Sequence, residues 1–119
     1  MADSAWEKFE AATASLARSG SIKERLAAAY RDHLSELAED ELPKEIRDEF
    51  RSLTHALTRE PPLSRGEDAI RATLRKMSND EADRVATSVV HMFTIVARTP
   101  APAVRAATVA QIAPRLLKA

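Results

Sequence analysis

The sequence predicts an all-α fold, a compact bundle of five to six helices, and three observations carry the prediction. Serine is followed three residues later by glutamate at Ser4/Glu7, Ser21/Glu24, Ser64/Glu67 and Ser78/Glu81, each ahead of a run with helical apolar spacing. In such a pair the serine oxygen accepts a free backbone N–H of the first turn and the glutamate reaches back to the cap, so each pair marks a helix start. Of the 119 residues 23 are alanine, the best helix former and small enough to let helix backbones approach. The two glycines, Gly20 and Gly66, fall outside the helices predicted by spacing, which also leaves no phosphate-cradling glycine loop.

Helix one is expected from Ser4 to about Arg18, with Trp6, Phe9, Thr13 and Leu16 on one side and Gly20 stopping it. Helix two follows from Ser21 to about Glu39, carrying the clearest 3.6-residue stripe: Ile22, Leu26, Ala29, Tyr30, His33, Leu34 and Leu37. A short link leads to Pro43, whose fixed φ and missing N–H suit the first position of helix three. That helix presents Ile46, Phe50, Leu53, Thr54 and Leu57, and the short link predicts an antiparallel hairpin with helix two. Pro61 and Pro62 break the chain between Thr58 and Arg65.

Helix four is expected from about Gly66 to Met77, with Ile70, Leu74 and Met77 inward and Arg71, Arg75 and Lys76 outward. Ser78 then starts helix five with no linker. Its apolar residues Val85, Val89, Val90, Met92, Phe93, Ile95 and Val96, with Ala82 and Ala86, cover roughly 220° of the helical wheel. A stripe that wide belongs either to the central helix of the bundle or to one that adds an intermolecular surface. Residues 99–119 form a basic segment interrupted by prolines, in which Val104, Val109, Ile112, Leu116 and Leu117 share no single face. The whole chain, 1–119, reads as one all-helical domain.

Composition narrows the function classes. With 18 basic and 18 acidic residues there is no overall field toward nucleic acid or anionic lipid. The distribution is uneven: residues 36–49 hold seven acids and two bases, residues 99–119 three bases and no acid. The absence of cysteine excludes disulfides and thiolate chemistry and suits a reducing cytoplasm. Neither a signal peptide nor a membrane span is expected, since Met1 to Phe9 lacks an apolar core and no uninterrupted apolar run approaches the roughly 20 residues a bilayer needs. No cofactor or metal is expected, for no zincin, P-loop or nucleophile-elbow motif occurs.

The reading preferred from these residues is a non-enzymatic protein-interaction or regulatory module that forms a homodimer. Its interface is expected at Val90, Met92, Ile95, Val109 and Leu117, where the wide stripe of helix five and the weakly amphipathic tail need cover. An enzymatic alternative rests on Arg84 and His91, seven residues apart on the narrow polar face of helix five with Thr87 and Ser88 beside them. In those two residues the chain resembles helical-bundle nucleases of the HEPN type. The resemblance implies a metal-independent ribonuclease, with imidazole as base toward a 2′-hydroxyl and guanidinium as the cation at the charged transition state. A second alternative is a nucleic-acid-binding regulator using Arg65, Arg71, Arg75 and Lys76 on helix four and the loop before it. His33, within the stripe of helix two, is expected to be a hydrogen-bonded core histidine.

Overall fold

A computed structural model describes residues 5–98, and among them every regular element is helical. The first helix, α1 (Ala5–Leu16), buries Phe9, Ala12 and Leu16, while Trp6 and Thr13 are half-buried. Its last turn tightens through Ala17 N–H to Ala14 O and Arg18 N–H to Ser15 O, and Gly20 turns the chain at φ 112°. The first Ser/Glu pair includes Ser4, which lies outside the described residues.

The second pair forms the expected reciprocal cap. Glu24 N–H donates to Ser21 Oγ at 3.1 Å and Ser21 N–H to Glu24 Oε1 at 3.2 Å, opening α2 (Ile22–Ala29). Arg25 on α2 then reaches back to α1, donating to the carbonyls of Leu16 at 2.6 Å and Gly20 at 3.1 Å. The Leu16 carbonyl is at the end of α1 and that of Gly20 in the turn after it, so one arginine ties α2 to both.

The regular α-helix ends earlier than its stripe suggests. Tyr30–Leu34 is a π-helical turn, not a continuation of α2 to about Glu39. At its end Ser35 Oγ donates to the carbonyl of Arg31 at 3.0 Å, the acceptor its own N–H would take in an α-helix. The Ser35 N–H moves to Tyr30 O at 2.8 Å, widening the turn by one residue. Tyr30, Leu34 and Leu37 still reach the core, whereas His33 is only half-buried and so is no core histidine.

A 3-10 turn, Glu39–Glu41, leads into α3 (Lys44–Thr58), with Pro43 at the cap rather than at the first helical position. Ile46, Phe50, Leu53 and Leu57 are buried as their spacing requires, and Thr54 is half-buried beneath the hydroxyl of Tyr30 at 3.3 Å. The α2–α3 hairpin is not the dominant pairing: α2 packs chiefly on α1 and α5, and α3 on α5 and α4.

The third Ser/Glu pair does not start a helix. Gly66 takes φ 81°, a left-handed conformation that interrupts any helix running through it, and Glu67 instead accepts from Leu63 N–H. Asp68 is the cap, accepting from Arg71 N–H at 2.9 Å, so α4 runs Ala69–Lys76. Its buried side includes Ile70, Thr73 and Leu74, and Thr73 Oγ1 accepts from Glu60 N–H, anchoring the proline loop.

Ser78 caps α5 (Asn79–Arg98) through Glu81 N–H at 3.0 Å. The Glu81 carboxylate leaves the cap and takes both guanidinium nitrogens of Arg59, at 2.6 and 3.0 Å. Ala82, Ala86, Val89, Met92 and Val96 are buried, for α5 packs against α1, α2 and α3 at once. This central position accounts for the width of its apolar stripe. Phe9 and Phe50 meet edge to face within the core, ring centroids 6.1 Å apart. The sixth helix of the longer expectation falls on residues 99–119, outside the described part.

Candidate functional site

The polar face of α5 holds the expected pair, of which His91 is engaged by a neighbouring helix. His91 Nδ1 lies 3.0 and 3.1 Å from the two oxygens of Glu49 on α3, and Ser88 Oγ donates to the same carboxylate at 2.7 Å. Glu49 therefore joins α3 to α5 and orients the imidazole, a role for which its place in the acidic run gave no signal. The Arg84 side chain is exposed and makes no hydrogen bond or ion pair among the described residues. Neither Arg84 nor His91 lines the groove or the two other clefts described below.

The proposed interface residues divide. Met92 is fully buried and offers a partner no surface, because α5 is enclosed by its own chain. Val90 is 39% exposed, Ile95 is partly covered against the core, and Val109 and Leu117 lie outside the described residues. The basic set on α4 divides too. Arg75 pairs with Glu67, and Lys76 with Glu60 at 3.2 Å, while Arg65 and Arg71 have no ion-pair partner among the described residues. Arg71 does not take the Asp68 carboxylate by its side chain; that carboxylate accepts its backbone N–H and both donors of Arg31, each at 3.0 Å.

These contacts line up on a groove of about 400 Å³ between α2 and α4. Lys23, Ala27 and Arg31 form one wall, spaced four residues apart and therefore stacked on successive turns. Arg71, Leu74 and Arg75 form the other. Each wall reads cation, apolar residue, cation, and the aliphatic stems of the basic residues extend the apolar floor. Glu24 and Glu67 complete the lining, the first occupied in the α2 cap and the second with Arg75 and Leu63 N–H.

The electrostatics keep this rim fixed in charge. The Arg75 guanidinium, helped by the Leu63 N–H, holds the Glu67 carboxyl below the usual carboxylate range. The Arg71 N–H and then the Arg31 guanidinium do the same to Asp68. Lys23 and Arg71, one on each wall, have no ion-pair partner among the described residues. Sequence reasoning placed Arg71 and Arg75 together but missed Lys23 and Arg31, since α2 and α4 are separated by all of α3.

Two other clefts are less suited to a ligand. One, of about 480 Å³ beside α3, is bordered by Tyr30, Thr54, Glu39 and Arg51, which bond to one another or to Asp48. The second, of about 330 Å³, has His33 and Asp32 at its edge, and no cluster of three His, Cys, Asp or Glu side chains among the described residues fits a metal ion. No described helix is long and apolar enough to cross a membrane. Comparison with protein-family models, with curated proteins and with solved structures finds no match.

Proposed function

We propose that the chain is a non-enzymatic helical interaction or regulatory module that binds a protein partner through the α2–α4 groove. The observation that supports this reading is the groove itself: an apolar floor lined by Ala27 and Leu74, with an uncommitted cation on each wall. Such a floor suits a side-chain anchor better than a bare phosphodiester, whose binding strength comes from many cationic contacts. Here Arg31, Arg75, Lys76 and Arg59 are already held by carboxylates of the same chain, which weighs against the nucleic-acid alternative. The nuclease alternative is weakened by the engagement of His91 Nδ1 with the Glu49 carboxylate. A cytoplasmic setting belongs to the same reading.

Self-association stands on narrower ground than the sequence suggests, because three helices of one chain cover α5 and Val90 is what remains most open on it. The test of the module reading is capture from lysate by the tagged chain and by Ala27→Arg, whose larger side chain fills the groove. A discrete partner held by the first and lost by the second is expected, with both proteins equally helical by circular dichroism. A partner set that Ala27→Arg leaves unchanged refutes the groove as the docking surface.

A further inference from the structure

We infer that the occupant of the α2–α4 groove is an acidic amphipathic helix, carrying an apolar residue with a carboxylate one helical turn to either side. This rests on the interaction-module reading and names the chemistry of the partner. The argument is the order of groups on the walls: Lys23 and Ala27 on α2 with Arg31 in the π-turn that follows, and Arg71, Leu74 and Arg75 on α4. Both walls combine one apolar contact with two cations, and the four-residue spacing of Lys23, Ala27 and Arg31 has its complement in acid, apolar, acid at i, i+4 and i+8 on a helix. The apolar side chain sits on Ala27 and Leu74.

Charge decides the rest. Arg31 is clamped by Asp68 and Arg75 by Glu67, so these two guanidinium groups are fixed in place with their charge largely balanced. Lys23 and Arg71 have no ion pair among the described residues and lie on opposite walls. A ligand therefore gains from two carboxylates, one toward each wall, and a third or fourth adds little. A polyanion meets only two free cations here, whereas its affinity grows with the number of phosphates neutralised.

The probe is a short fluorescein-labelled synthetic peptide with glutamate, leucine and glutamate at i, i+4 and i+8 in an alanine-rich helix, titrated with the full chain by fluorescence anisotropy at moderate salt. Saturable binding is expected, with a dissociation constant of about 10–100 µM for so small a contact. Lys23→Glu and Arg71→Glu are each expected to weaken it by about tenfold, and Arg18→Glu, outside the groove, to leave it unchanged. Replacing the peptide leucine by serine is expected to weaken binding by a similar factor.

Three outcomes overturn the inference. They are no saturation at millimolar peptide, equal binding of a scrambled peptide of the same composition, and binding of a single-stranded RNA that Arg71→Glu abolishes while the peptide fails. Peptide failure alongside a lysate partner sensitive to Ala27→Arg removes the acidic helix and leaves the module reading standing. Loss of that partner effect as well removes both.

Discussion

Two adjacent valines on α5 give a direct test of whether this helix is enclosed by its own chain. Val89 has no exposed surface and Val90 is 39% exposed, so the same truncation at neighbouring positions samples core and rim. Val→Ala removes two methyl groups, about 1.6 kcal/mol of transfer free energy when both are buried. At Val89 the cavity left in the core adds about 1 kcal/mol, and the better helix propensity of alanine returns about 0.5, for a net loss of about 2 kcal/mol. At Val90 about two-fifths of the side chain is already wet, so the transfer loss falls to about 1 kcal/mol and the propensity gain offsets half of it. The assay is urea unfolding followed by circular dichroism at two protein concentrations, with the slope m checked for constancy. Equal losses at the two positions, or a Val90→Ala loss that appears only at the higher concentration, would show that a second copy covers α5 and refute the single-chain account of its stripe.

Other consequences follow from the caps, the ion pairs and the polar face. Asp68→Ala removes the acceptor for Arg71 N–H and is expected to cost about 1 kcal/mol in urea unfolding, whereas Asp68→Asn keeps the cap and costs much less. Glu39, Glu67, Asp68 and Glu81 all titrate below the ordinary carboxylate range in the folded state, chiefly through Arg51, Arg75, the Arg71 N–H and Arg59 respectively. Their contribution is therefore fully present above the unfolded-state values and lost as pH falls through the folded-state ones. Unfolding midpoints should drop from mildly to strongly acidic pH, less steeply in high salt or in Arg59→Gln. RNA incubated with the wild-type chain and with His91→Ala is expected to give the same fragment pattern, and cleavage that disappears with His91 would restore the nuclease alternative.

The helix faces were legible because they depend on local periodicity. Ile46, Phe50, Leu53 and Leu57 are buried where their spacing puts them, and Ser21/Glu24 and Ser78 cap helices as their types require. Ser64/Glu67 misled because a better cap, Asp68, lies just beyond a glycine at positive φ. The π-turn was invisible because it shifts the backbone bond of Ser35 by one residue, to Tyr30 O, while leaving Tyr30, Leu34 and Leu37 on the apolar stripe. The groove was half legible. Arg71 and Arg75 stood out on α4, but Lys23 and Arg31 lie off the apolar stripe of helix two and carried no signal until tertiary packing set them opposite. Glu49 escaped notice for the same reason, since its partners Ser88 and His91 come from a helix far along the chain.

The partnership of α1 with α5 also bears on how the chain is made. During synthesis α1 emerges before the rest of the bundle, and one of the surfaces it packs on, α5, is translated only after α2, α3 and α4. Until then the buried side of α1, with Phe9, Ala12 and Leu16, has α2 and the following π-turn against it but not α5. Nascent chains stalled before Val89 should therefore present apolar surface to holdase chaperones, and release from them should await the last turns of α5 leaving the ribosome.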